Sequence, residues 1–325
     1  MSDAVVRKEE WRRLTGTLLQ ILAVAAAYYA AARIGLLLRV VVEGAVVTAL
    51  WPPTGLAVAA LLWFGPRIWP GIALGTYLSI QHLSSFQVAD AGIVVGNTLA
   101  PLCAYLLLRR VGFRTDIVRL RDGLALVFLG GFVPMLLSAS IGTGVLLATG
   151  DLAPDDFLPV WSAWWAGDAM GVLVVTPLLL VLTRVRMPHD AYRVAEAVAL
   201  TIGAGLVALA ATRSSLSLLF LVFPLLIWAA VRFQLAGSAP CALVLSVVAI
   251  WAATDRAGPF EGHTLFEVMV NLQALNGSAA LTALLLSALV TEQNNIREEI
   301  ERVCEDLAEV VERLAPRGPG DRGPA

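Results

Sequence analysis

A chain of 325 residues that is 58% hydrophobic and 15% charged, with a mean hydropathy of +0.78, is not an ordinary soluble domain, where about 45–50% apolar and roughly 25% charged residues are usual. The formal net charge of −2 gives no reason to expect a nucleic-acid partner. Cys103, Cys241 and Cys304 form no C-x-x-C pair, and His82, His189 and His263 are scattered, so no disulfide, metal site or cofactor is expected.

The expected fold is all-α: a polytopic transmembrane helix bundle of about 8–10 spans, some short or kinked, since a span needs about 20 apolar residues. Residues 1–13, with Arg7, Lys8, Arg12 and Arg13, read as a cytoplasmic N-terminal segment. The apolar run from about Leu14 to Leu38 is longer than a signal-peptide core of about 7–15 residues and reads as an uncleaved first span. Further spans are expected near 45–64, 67–81, 87–108, 124–148, 157–182, 193–212, 215–231, 236–253 and 265–290, so that the transmembrane domain covers 14–290. Arg109, Arg110, Arg114, Arg119 and Arg121 follow the fourth span, and Arg184, Arg186 and Arg193 surround the sixth link. Asp151, Asp155 and Asp156 dominate the fifth link. The positive-inside rule then puts both termini in the cytoplasm of a multi-pass protein of the bacterial inner membrane.

The stretch "LWPPTGLAVAALLWFGPRIWPG" interrupts this regular pattern. Downstream of Pro53 only about 11 apolar residues precede Gly65, roughly half the hydrocarbon thickness. Either the span begins near Ala45 and kinks at the prolines, or 51–81 forms a pair of short segments. Trp51, Pro52, Pro53, Gly55, Trp69, Pro70 and Gly71 are its structural markers: first-turn prolines cost little, and irregular backbone must face the bundle rather than lipid.

Ionisable residues inside a span cost about 2.5–3.5 kcal/mol each on insertion scales and mark candidate sites. In "VWSAWWAGDAMG", Trp161, Trp164, Trp165 and Asp168 stand at i, i+3, i+4 and i+7, on one helical face, with Asp168 near mid-membrane. Asn97 reaches a similar depth on the fourth span and shares a face with Asp90. On the last span Glu267 and Asn271 share a face with Ser278, with Asn276 offset from it. These residues make up the expected ligand-binding set, with Arg33 as a possible countercharge; interhelical hydrogen bonding and interfacial packing are the competing structural roles. No residue is expected to be catalytic.

Beyond the last span, Ile296, Ile300, Val303, Leu307, Val310 and Leu314 continue a 3-4 alternation that begins at Leu289. The pattern predicts a cytoplasmic coiled-coil helix over 291–315 that pairs with a second copy, or else a single amphipathic helix lying on the bundle. Residues 316–325, rich in Pro and Gly, read as a disordered tail.

Three stretches, "LWPPTGLAVAALLWFGPRIWPGIALGTYLS", "GNTLAPLCAYLLLRR" and "VWSAWWAGDAMGVLVVTPLLL", resemble in order and spacing the membrane-associated sensor domain of the first MASE type, over about residues 16 to 290. The chain departs from that family's pattern at Ala100, where an acidic residue is frequent. The resemblance implies signal reception in a two-component or cyclic-nucleotide setting, upstream of an output domain or partner such as a histidine kinase or diguanylate cyclase. The chain itself is expected to carry no catalytic domain, as a piece of a longer sensor or as a receptor acting on a separate partner. The alternative is a small-solute transporter using the buried Asp168, and a scaffold holding the coiled coil at the membrane is a third reading.

Overall fold

The computed structural model describes residues 3–37, 39–42, 45–83, 87–183, 191–214 and 218–314. The expected tail over 316–325 and the expected basic link at Arg184 and Arg186 lie outside these residues. The fold is an α-helical bundle. Helix α1, Asp3–Leu36, leads into a β-hairpin of β1, Arg39–Val42, and β2, Ala45–Thr48, antiparallel with Arg39 opposite Thr48. Residues 45–48 are therefore strand and not the start of a span; Val46, Val47 and Thr48 are β-branched, which suits a strand, and the segment pairs back on Arg39–Val42.

The proline-rich stretch becomes two short helices. Helix α2, Pro52–Phe64, has its prolines in the first turn, where the missing N–H groups cost nothing, and stops at Gly65, whose φ of 80° suits glycine alone. A 3-10 turn, Pro66–Ile68, then hands over to α3, Trp69–Leu83. With 13 and 15 residues, α2 and α3 rise only about 20 Å each and form a hairpin of short segments. Backbone approaches fix their direction. A Cβ on Gly71 would strike the Ile21 carbonyl and one on Gly75 would lie within 3 Å of Tyr28, so α3 ascends beside α1.

Helix α4, Asp90–Arg110, contains Pro101, four residues after Asn97. Helix α5 runs Leu120–Thr149 and α6 runs Pro154–Leu182. Each widens into a π turn, at Leu126–Phe132 and Gly171–Val175 respectively. Each π turn ends just before a proline, Pro134 or Pro177, whose ring crowds the preceding turn and offers no N–H to it.

Helix α7, Ala191–Arg213, is followed by α8, Val222–Thr254, which breaks at Gln234 with φ 49° and ψ −140°. Arg232, before the break, pairs with Glu196 at the start of α7 at 3.0 Å, while Asp255, after the second arm, meets Arg213 at the end of α7 at 3.7 Å. The two arms therefore run in opposite directions, the first of about 12 residues and the second, over 235–254, of about 20, a full span in length. Helix α9, Leu265–Leu314, spans 50 residues and extends beyond the bundle. Among the described residues, seven helices are long and apolar enough to cross a membrane, with α8 counted as one. The main core gathers Val160, Val172, Leu173, Leu226, Leu245, Leu272 and Leu284, and a second cluster joins Val24, Tyr28, Leu61, Ile72 and Tyr105.

Candidate functional site

Four helices converge on Asp168, which is 1% exposed. Thr54 of α2 donates its hydroxyl to Asp168 Oδ1 at 2.5 Å, and Ser138 of α5 lies 2.8 Å from Asp168 Oδ2. The same Ser138 hydroxyl is 2.8 Å from Asn97 Oδ1 of α4. The result is a continuous chain Asn97–Ser138–Asp168–Thr54 across α4, α5, α6 and α2, buried except at half-buried Asn97. Each of these helices carries proline, at Pro101, Pro134 and Pro177 and in the first turn of α2 at Pro52–Pro53, and α5 and α6 add their π turns on either side of the carboxyl group.

Close backbone contacts hold this centre. Trp51 N donates to Gly167 O at 3.0 Å, and Thr176 Oγ1 to Gly55 O at 2.8 Å. A Cβ at Gly167 would strike the Thr48 carbonyl, at Gly171 the Trp51 carbonyl, and at Gly55 the Gly171 carbonyl. Helix α6 thus lies on the backbone of the 48–55 segment, a proximity that only glycine permits.

The tryptophans of α6 all turn toward α5. Trp161 Nε1 donates to Ser140 Oγ at 3.0 Å and stacks on Trp165 with ring centroids 6.1 Å apart. Trp165 Nε1 donates to the carbonyl of Phe132, the last residue of the π turn, at 2.8 Å. The Trp164 indole fills the space over Gly142 and makes a further polar contact with Asp168. Tyr28 is 1% exposed, and its hydroxyl finds no well-formed hydrogen bond although it faces Thr76 and Trp51.

Other expected site residues lie elsewhere. Asp90 accepts from Gln87 N at 2.8 Å at the start of α4, two helical turns from Asn97. Glu267 accepts from Thr264 N and Oγ1 at 2.8 and 3.0 Å and caps the start of α9. Asn271 and Ser278 are exposed. On α9 the inward polar residues instead include Gln273, which donates to Ala49 O at 3.1 Å, Asn276, fully buried with no hydrogen-bond partner for its amide, and Ser287, 2.7 Å from the Ser238 hydroxyl. Arg33 is exposed and bonds Tyr29 at 3.3 Å, so it does not neutralise Asp168. Sequence reasoning missed Thr54 and Ser138; the available signals were a threonine directly after Pro52–Pro53 and a serine four residues after Pro134.

The seam residues Ile296, Ile300, Val303, Leu307 and Val310 are each 50–59% exposed on one bare helix. At the opposite end of this arm, Glu292 Oε2 accepts from the backbone N–H of Leu120, the first residue of α5, at 2.9 Å. One turn earlier, Leu284, Leu285 and Ala288 of α9 line Gly123 of α5. The basic link Arg109–Arg121 is therefore on the same side of the bundle as the emerging tail.

Among the described residues, seven long apolar helices packed around a buried polar centre define a polytopic integral membrane protein. The chain belongs to the MASE1 family, whose model matches residues 20–294. It is also similar to a probable diguanylate cyclase, DgcE, of Escherichia coli K12, with 30% identity over 205 residues. That match covers 58% of this chain and 17% of the relative, so the chain spans only a small part of the relative's length. No solved structure matches the chain.

Proposed function

We propose that the chain is a sensory input module in which a ligand or membrane cue acts on the Asp168 network and is passed to a dimeric coiled coil formed by α9. The observation that carries this reading is the physical route between them. Ser138, bonded to Asp168, sits on α5, and α5 ends on Glu292 of α9 through the Leu120 N–H. A carboxylate on the first N–H of a 30-residue helix is also favoured by the helix dipole, so the clasp is an electrostatic as well as a hydrogen-bonded junction. A cue that favours one arrangement of α5 therefore favours one position of α9, as differential binding to two states requires.

The exposed apolar seam then pairs with the same seam of a second copy, bringing two membrane domains together and delivering the change to an output domain or partner of the histidine kinase or diguanylate cyclase kind. Family membership and the similarity to a probable diguanylate cyclase support signalling over solute transport. The arginine-rich link beside the tail supports, by the positive-inside rule, the reading that both termini are cytoplasmic. The test is cysteine crosslinking in membranes at Leu307 in a background with Cys103, Cys241 and Cys304 replaced by serine. Dimers whose yield changes with Glu292→Gln support the route; exclusive monomer removes it. Flux of a solute through proteoliposomes, abolished by Asp168→Asn, would favour a transporter instead.

A further inference from the structure

The donor and acceptor inventory of the buried chain does not balance with every group in its simplest state. Ser138 has a single hydroxyl proton, yet its oxygen lies 2.8 Å from both Asn97 Oδ1 and Asp168 Oδ2. One hydroxyl cannot donate fully to two acceptors. With Thr54 donating to Oδ1, two arrangements satisfy both contacts. In the first, Asp168 carries a proton on Oδ2 and donates it to Ser138, which donates to the Asn97 carbonyl oxygen. In the second, Asp168 is ionised and accepts from Ser138, and the Asn97 amide is turned by half a rotation so that its NH2 donates to Ser138. Thr54 donates to Oδ1 in both. The orientation of the amide and the proton on the carboxyl group are therefore one variable.

We propose that Asp168 is a proton-binding site whose loading turns the Asn97 amide. The step is one proton passed from a hydronium ion to Asp168 Oδ2, with the Ser138 hydroxyl turning from Asp168 toward Asn97; one O–H bond of the hydronium breaks, leaving water, and one O–H bond forms on the carboxylate. Asn97 is half-buried where Asp168 and Ser138 are buried, and is the most exposed end of the chain.

The surroundings leave the proton as the charge compensator. Among the described residues, no arginine, lysine or histidine forms an ion pair with Asp168. Tyr28 of α1 is the titratable group that interacts electrostatically with it. From α2 and α5 it meets only the neutral Thr54 and Ser138. The acids of α4 and α9, Asp90 and Glu267, are tied up at their own helix starts. An uncompensated carboxylate inside a span is costly, and protonation is the smallest change that removes the charge.

The proposal concerns the same residues as the sensory reading but needs no signalling output. It is tested by infrared difference spectroscopy of the purified full chain in lipid nanodiscs, titrated with pH across the range in which it stays folded. The expected result is a protonated-carboxyl carbonyl band that appears as pH falls and is absent from Asp168→Asn. A side-chain amide change, absent from Asn97→Leu, should share its midpoint. In Ser138→Ala the carboxyl band should shift and the amide change should disappear, because the link is cut; this variant also assigns the band should Asp168→Asn not fold. No band sensitive to either substitution, or a carboxyl band with no accompanying amide change, overturns the proposal. If both bands appear and coiled-coil crosslinking is indifferent to pH, the proton site stands and proton sensing fails.

Discussion

At the scale of single residues, the molecule depends on positions where a side chain cannot grow. Gly171 lies under the Trp51 carbonyl, so even one methyl group must push α6 off the 48–55 segment. Gly171→Ala is expected to lower thermal stability by more than the about 1–3 kcal/mol of ordinary overpacking, because the colliding atom is backbone and cannot rotate away. Thermal unfolding in detergent, compared with Gly144→Ala, where nothing lies within 4 Å, measures it. Asn276 is the opposite case. Its amide is fully buried without a partner, and an unsatisfied buried group costs about 1–3 kcal/mol, so Asn276→Leu should raise the unfolding temperature. An unchanged or lower temperature would mean that the amide is satisfied.

Much of this scale was legible. An aspartate seven residues after Trp161 had to face the bundle, and the structure places Asp168 at its centre with Trp161, Trp164 and Trp165 on the same neighbouring helix. Thr54 and Ser138 were not legible as its partners, because a lone hydroxyl in an apolar run hydrogen-bonds its own helix as readily as a distant one. Glu267 and Asn271 were misleading for a related reason. A 3.6-residue period shows which residues share a face but not which face turns inward, and on α9 it is the Gln273 and Asn276 side that does.

At the scale of helices, proline and one glutamine set the geometry. The sequence showed that 45–81 could not hold two ordinary spans, and it left open how the chain would solve this. The structure uses a hairpin over Arg39–Thr48 and two short helices. The π turns before Pro134 and Pro177 escaped pattern reading, since one inserted residue barely alters an apolar run. Gln234 joins two oppositely directed arms at a positive φ that costs an ordinary residue about 1–2 kcal/mol. Gln234→Gly should therefore stabilise the bundle by up to about that amount in thermal unfolding, less its own loss of entropy. A destabilised variant would show that the glutamine side chain contributes to the reversal.

At the scale of the whole molecule, hydrogen bonds join α5 to the polar centre through Ser138 and to α9 through Leu120 and Glu292, and the proposed route runs along them. Seven long apolar helices fix the membrane character, and family membership fixes the sensory class. The path depends on the contact between Glu292 and Leu120. Glu292→Gln keeps an acceptor for the Leu120 N–H but loses the charge, so it should cost only about 1–2 kcal/mol, the difference between a charged and a neutral hydrogen bond, while loosening α9 from α5. The most direct measurement is disulfide crosslinking of Leu307→Cys in native-like membranes, in the background lacking the other cysteines, with and without Asp168→Asn and Glu292→Gln. The account predicts a dimer in the parent chain and a changed crosslinking yield in both variants. A dimer yield identical in all three chains, or no dimer at all, would contradict it.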